Sequence, residues 1–320
     1  MDEARAVVTT RHRLTAVAGG AVATFALFAA SLTIPLAGFV SGLLAPFPVA
    51  HIRIMYGRGA AVIVFLAGMT AITGLLGFQA GLIYLVQCGA IALILPELIL
   101  RQRSAISCIS WTTALTLSLA AVGIMIAAGM NAFDVHRAAS NEINNSIAQV
   151  LQLYEKSGLI GDDLATLKSS MAMAAGLLIR IYPAIVTLIL GCTAALNVVL
   201  LKRVSAIKAG VPVAIGILRD FKVSEPMIWC VIAGGFALLA PSPLVTTPAL
   251  NLLLVMCTLY FFQGLAVVLT IISRTMFGGM LRSMFWLMLI FQPYLAVIVA
   301  AIGIFDLWAD FRTPRAPKNL

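Results

Sequence analysis

Charged residues are scarce in this chain: Asp, Glu, Lys and Arg make up only 10% of its 320 residues, against about 25% in soluble domains. Water cannot be the main environment of such a surface. Histidine is nearly absent, with 3 residues, and the clustered His, Asp or Glu residues that a membrane-embedded enzyme needs within its spans are missing. No Walker motif, HExxH, GxSxG or pair of catalytic acids appears in the polar segments. The sequence therefore points to no enzyme, no catalytic residue, no metal and no cofactor, and any ATPase that drives the protein is another chain. The cysteines (Cys88, Cys108, Cys192, Cys230 and Cys257) fall inside apolar runs without CxxC spacing or neighbouring histidines. That argues against a disulfide framework or a zinc site and reads as small buried hydrophobes.

What the chain does have is apolar length. Hydrophobic residues make up 62% of it, and the mean hydropathy is +1.06. The fold class expected is an all-α, polytopic transmembrane helical bundle of about eight or nine spans, at roughly 20 residues per span. The net charge of +9 does not mark a nucleic-acid binder, because the basic residues sit at the ends of apolar segments, where they act as topology signals. The surrounding partner is membrane lipid.

Three regions follow. Residues 1–130 hold N-terminal transmembrane helices: a retained first span at 14–34, a shorter crossing or re-entrant piece at 36–50 after Pro35, a polar hinge at 51–58, and spans at 60–76, 80–100 and 105–130. Residues 131–170 form a helical hairpin, in which Ile143, Ile147, Val150, Leu151 and Tyr154 recur at helical spacing on one face. Residues 171–320 hold the C-terminal spans, at 171–201, 226–240, 249–273 and 283–303. They include a basic loop at 202–225, expected to be partly helical over 213–221. Arg and Lys concentrate in one alternating set of loops, which places the N-terminus and the basic loop in the cytoplasm and the acidic hairpin outside, in a multi-pass cell membrane protein of the bacterial inner membrane. Whether 36–50 crosses decides the side of the C-terminal tail.

Two stretches carry a family likeness. Asn251 with Tyr260-Phe261-Phe262-Gln263-Gly264-Leu265-Ala266-Val267, and the ending Gly303-Ile304-Phe305-Asp306-Leu307-Trp308-Ala309-Asp310-Phe311-Arg312, resemble the YybS-like family of multi-pass bacterial membrane proteins, which implies no particular activity. The proline-containing stretch 26–48 followed by the glycine-rich 57–77 is more distantly similar to the substrate-binding components of energy-coupling-factor vitamin transporters. That likeness implies transport without naming a substrate.

Polar side chains inside apolar spans need partners, because hydrocarbon offers none. Gln87, Gln263 and Gln292 are each read near the middle of a span. They either bond helices together, at about 0.6 kcal/mol per contact on average, or meet at one depth to line a polar cavity. Gln263, beside Tyr260 and Gly264, is the leading candidate for a ligand site. Arg180 either snorkels to the outer interface or binds an anion. Glu97 pairs with Arg101 one helical turn on, and Asp306, Asp310 and Arg312 pair or cap locally at the interface. These features favour a transporter or transporter subunit that binds a small solute between helices, coupled to a separate energising partner at the basic loop. The alternative is a membrane scaffold or assembly factor that recruits a protein partner through the hairpin or that loop.

Overall fold

The structure, a computed structural model, describes residues 2–128, 132–157, 161–209 and 221–312. Of the expected helix at 213–221 all but Phe221, which is not helical, lies outside the described residues, as do Arg315 and Lys318 in the tail. Twelve α-helices are found among the described residues: α1 (Asp2–Thr33), α2 (Pro35–Leu44), α3 (Phe47–Tyr56), α4 (Arg58–Leu76), α5 (Phe78–Leu100), α6 (Ala105–Ala128), α7 (Ala132–Lys156), α8 (Asp162–Ala209), α9 (Ile228–Ala237), α10 (Pro243–Ile272), α11 (Gly278–Phe291) and α12 (Tyr294–Ala309). Among the described residues, seven stretches are long and apolar enough to cross a membrane, and the bent α11–α12 pair would make an eighth. The chain is an all-α, multi-pass membrane bundle.

The helices fall into two compact units, Met1–Asn141 with Val186–Val213, and Glu142–Ile185 with Ala214–Leu320. This partition differs from the three consecutive regions expected from sequence. α8 is one unbroken helix of 48 residues, about 72 Å at 1.5 Å per residue, more than twice a bilayer core, so it serves both units.

In the first unit, α1, α3, α4 and α5 pack around Tyr84, whose ring meets Phe28 edge-on at 5.3 Å and stacks on Phe65 at 5.4 Å. A second cluster joins Ile91 and Leu95 of α5 to Leu190, Val198 and Leu201 of α8. Single residues join α3 to α4 and α4 to α5. These are Gly57 and Gly77, with φ of +93° and +98°, a backbone region nearly closed to residues with a Cβ. The hinge expected at 51–58 is thus narrowed to Gly57, since α3 stays helical through Tyr56. The 36–50 piece is the body of a longer stretch, Gly38–Tyr56, which has the length and hydropathy of a span.

Asn197 of α8 donates to the carbonyl of Leu43 (2.9 Å) and to that of Thr193 (2.8 Å). It thereby satisfies a backbone acceptor where the Ala45–Pro46 turn interrupts the helical ladder.

Three sequence expectations change, two in the second unit and one at the end of α8 in the first. The expected crossing at 226–240 is a short apolar helix over Glu225–Ala237, 13 residues, where about 20 are needed to span. The last span is broken: α11 and α12 meet at 118° because Pro293 forces Gln292 out of the helical region, to φ −120° and ψ 85°. The basic loop starts later than residue 202, because α8 carries Lys202 and Arg203 to its end at Ala209. Large apolar side chains stand exposed along α11, among them Ile290 and Phe291, as expected of a lipid-facing helix. Cys257 is exposed as well.

Candidate functional site

α10 and α12 cross with their backbones in contact. A Cβ on Gly264 would collide with the Val299 carbonyl, and one on Gly303 would collide with the Tyr260 carbonyl and lie 2.7 Å from the Gly264 nitrogen. Small residues at such a crossing let two helices approach closely without a hydrophobic driving force. The neighbouring residues, Gln263 and Asp306, are brought together by that approach.

Gln263 is fully buried and Asp306 is 3% exposed. The Gln263 Nε2 donates to Asp306 Oδ2 at 3.2 Å, and the Gln263 Oε1 accepts from the Val223 N–H at 2.8 Å. Both ends of the amide are engaged, tying the segment before α9 to α10 and α12. Asp306 is held further by Arg312 Nη2 on Oδ2 at 3.0 Å and by the Phe311 N–H on Oδ1 at 3.1 Å. These bonds exist because the chain reverses at Asp310, which takes a left-handed conformation with φ 39° at the end of α12. A carboxylate near the negative end of a helix is unfavourable by itself, and the guanidinium offsets it. Arg274, after α10, donates to the Arg312 carbonyl and fixes the returning strand of chain.

One turn before Gln263 on α10 is Tyr260. Its side chain is fully buried, and its hydroxyl has no hydrogen-bond partner among the described residues. A buried hydroxyl without a partner costs about 1–3 kcal/mol and calls for an explanation such as an occupant.

Near the other end of α10, Asn251 repairs α8. Pro183 lies inside that helix. Beside it the Asn251 Oδ1 accepts from the Ala184 N–H at 2.8 Å, while its Nδ2 donates to the Arg180 carbonyl at 2.7 Å and to the Thr247 carbonyl at 2.9 Å. Ala184 N–H and Arg180 C=O are ordinary i+4 to i partners, so one side-chain amide stands in for a helical turn disturbed by proline.

Of the residues singled out from sequence, Tyr260 and Gln263 share one stretch of α10. Gln292 stands exposed at the α11–α12 bend, where Pro293 breaks the helix. Gln87 is half-buried on α5, in the other unit. Arg180 has an exposed side chain and takes part here through its carbonyl. Glu97 is bonded more closely by Arg53 and Arg58 (2.8 and 2.6 Å) than by Arg101 (3.8 Å).

Sequence reasoning placed Asp306 at the interface and passed over Asn251 as a bridging residue. The available signals were paired: Gly264 beside Gln263 with Gly303 one turn before Asp306, and a proline in one apolar run with an asparagine in another.

A family model described as "Predicted membrane protein (DUF2232)" matches residues 22–307. That match takes in Gln263 and Asp306 and ends before Arg312. No curated protein and no solved structure matches the chain. With most of its length covered by the family model, the chain belongs to this family of predicted membrane proteins.

Proposed function

We propose that the protein is a transporter, or the solute-binding subunit of one, and that its solute occupies a polar site around Tyr260 and Gln263. The observation that carries this reading is the buried Tyr260 hydroxyl, without a hydrogen-bond partner among the described residues, three residues from a buried amide in a membrane helix that crosses another at backbone contact. Buried polar and ionisable groups at membrane depth mark solute pathways by default, and a nearby broken helix is a recurring feature of transporter sites.

In this reading the Val223 N–H occupies the Gln263 acceptor when no solute is present, and an entering solute takes its place. The segment before α9 then acts as a latch whose release couples binding to movement at the cytoplasmic end. The energising step belongs to a separate partner protein at the basic stretch after α8, and the chain itself performs no chemistry. The distant energy-coupling-factor resemblance favours the same reading. So does the make-up of the first unit, in which α1, α2 with α3, α4, α5, α6 and the later part of α8 are six apolar segments. The membrane is the bacterial inner membrane, with the N-terminus cytoplasmic, on the strength of the loop charges.

The test is a thermal-shift screen of the purified full-length protein against vitamins, nucleobases, amino acids and lipids. A ligand at about 100 times its Kd stabilises by about 2.7 kcal/mol, which is readily seen in a melt. Stabilisation by one class that falls to about half in Tyr260→Phe, to about 1.4 kcal/mol at the same ligand concentration, supports the site, and no stabilisation by any of them counts against it.

A second reading, a scaffold that recruits a partner, is favoured by α7. Leu153 and Tyr154 are exposed there at 66% and 46%, next to a Lys168–Glu155 ion pair of 2.8 Å that ties α7 to α8. Membrane crosslinking that recovers one stoichiometric partner, lost when residues 133–157 are deleted, would favour it.

A further inference from the structure

We propose that the first unit carries a binding site for one anionic glycerophospholipid, with an acyl chain in the groove between α4, α5 and α6 and the phosphate at the arginines around Glu97. The site lies wholly within that unit and does not depend on the transport reading.

The groove is a cavity of about 410 Å³, lined by Phe65, Val86, Gly89, Leu93, Leu119 and Gly123 among others, all apolar. It sits within the about 300–1,000 Å³ range of ligand pockets. An adjoining pocket of about 310 Å³ shares Leu93 and Ile94 with it and is lined by Arg53, Arg58 and Glu97. The two together have an apolar body and a charged end. That is the shape of an amphiphile; a free ion would use only the charged end, and a fully apolar molecule would leave it empty.

Charge selects the headgroup. Glu97 accepts from Arg53 at 2.8 Å and from Arg58 at 2.6 Å, with Arg101 at 3.8 Å. Three guanidinium groups around one carboxylate leave two positive charges in excess. Arg53 is spent on Glu97 and largely covered, with 17% side-chain exposure, whereas Arg58 and Arg101 are 69% and 68% exposed. Their remaining N–H groups can meet a phosphate, which arginine binds through two parallel hydrogen bonds. A choline headgroup would bring its own cation into that field and lose the advantage. Glu97 thus positions Arg53 and Arg58 in the lining of the charged end, with Arg101 beside the same carboxylate.

Native mass spectrometry of the detergent-purified full-length protein tests this with phosphatidylglycerol, phosphatidylcholine of the same acyl chains, and glycerol phosphate as probes. One phosphatidylglycerol should be retained about fivefold better than phosphatidylcholine, the preference that about one juxtamembrane basic residue provides. Arg58→Gln and Arg101→Gln, both at exposed side chains, should each reduce that preference, and the double variant should abolish it. Gly123→Leu fills the groove, where a Cβ has only Val86 Cγ2 at 4.0 Å. It should lower retention of both lipids while the melting temperature without added lipid holds. Equal retention of the two lipids by the wild type, displacement by glycerol phosphate alone, or unchanged retention in Gly123→Leu would each overturn the proposal.

Discussion

Replacing Gln263 by leucine removes an acceptor from the Val223 N–H and a donor from Asp306 in one step. Val223 is itself buried, at 6% exposure, so its orphaned N–H costs about 1–3 kcal/mol. Asp306 keeps Arg312 and the Phe311 N–H, so its loss is the smaller one, about 0.5–1.5 kcal/mol. Leucine is similar in size and fills the vacated space, which returns part of this. The expected net loss is about 2 kcal/mol, roughly three times the 0.6 kcal/mol average for polar contacts between membrane helices. Reversible unfolding in mixed micelles of dodecyl maltoside and sodium dodecyl sulfate measures it. A double-mutant cycle with Asp306→Asn should give a coupling of at least about 0.5 kcal/mol. A loss below about 0.5 kcal/mol, additive with Asp306→Asn, would refute the view that this amide joins three segments.

Gly303→Ala should destabilise by about 3 kcal/mol or fail to fold, because its Cβ meets the Tyr260 carbonyl and the Gly264 nitrogen; the same micelle assay reads it, and a change under about 1 kcal/mol would mean that the crossing is looser than described. Asn251→Ala should cost about 2–4 kcal/mol by leaving the Arg180 carbonyl and the Ala184 N–H without their side-chain bridge at Pro183, and Asn251→Gln, one methylene longer, should not restore it. A cysteine at Asn145 in a cysteine-free background should label from outside intact cells with an impermeant thiol reagent while one at Lys208 should not; the reverse pattern would invert the topology drawn from the loop charges.

The membrane class and most helix positions were legible because hydropathy and loop charge are local properties of the chain. Gln263 stood out for the same reason, as an amide in a long apolar run with a glycine beside it. Its partners were hidden: Val223 and Asp306 are 40 and 43 residues away, and helical periodicity gives a face without naming what packs on it. The local pairing expected of Asp306 is found, with Arg312 and the Phe311 N–H; its burial against Gln263 was hidden because α12 begins at the Pro293 break and runs on to Ala309. Pro293 was visible, and its effect on Gln292 follows from sterics alone. The 118° size of the bend depends on contacts that no single segment encodes. The sharing of α8 between two units was likewise out of reach, although its length was implied by a hairpin arm running straight into a span.

The central claim is that the Tyr260 hydroxyl awaits a solute, and the most direct measurement is the Tyr260→Phe variant, which deletes one oxygen and no packing. Without ligand its melting temperature should equal or slightly exceed the wild type's, because an unpartnered buried hydroxyl contributes no stability. With the solute present its affinity should fall about tenfold, the loss expected for one hydrogen bond of about 1.4 kcal/mol, and it should complement a deletion strain poorly at limiting solute. A Tyr260→Phe protein that binds and complements like the wild type would contradict the account.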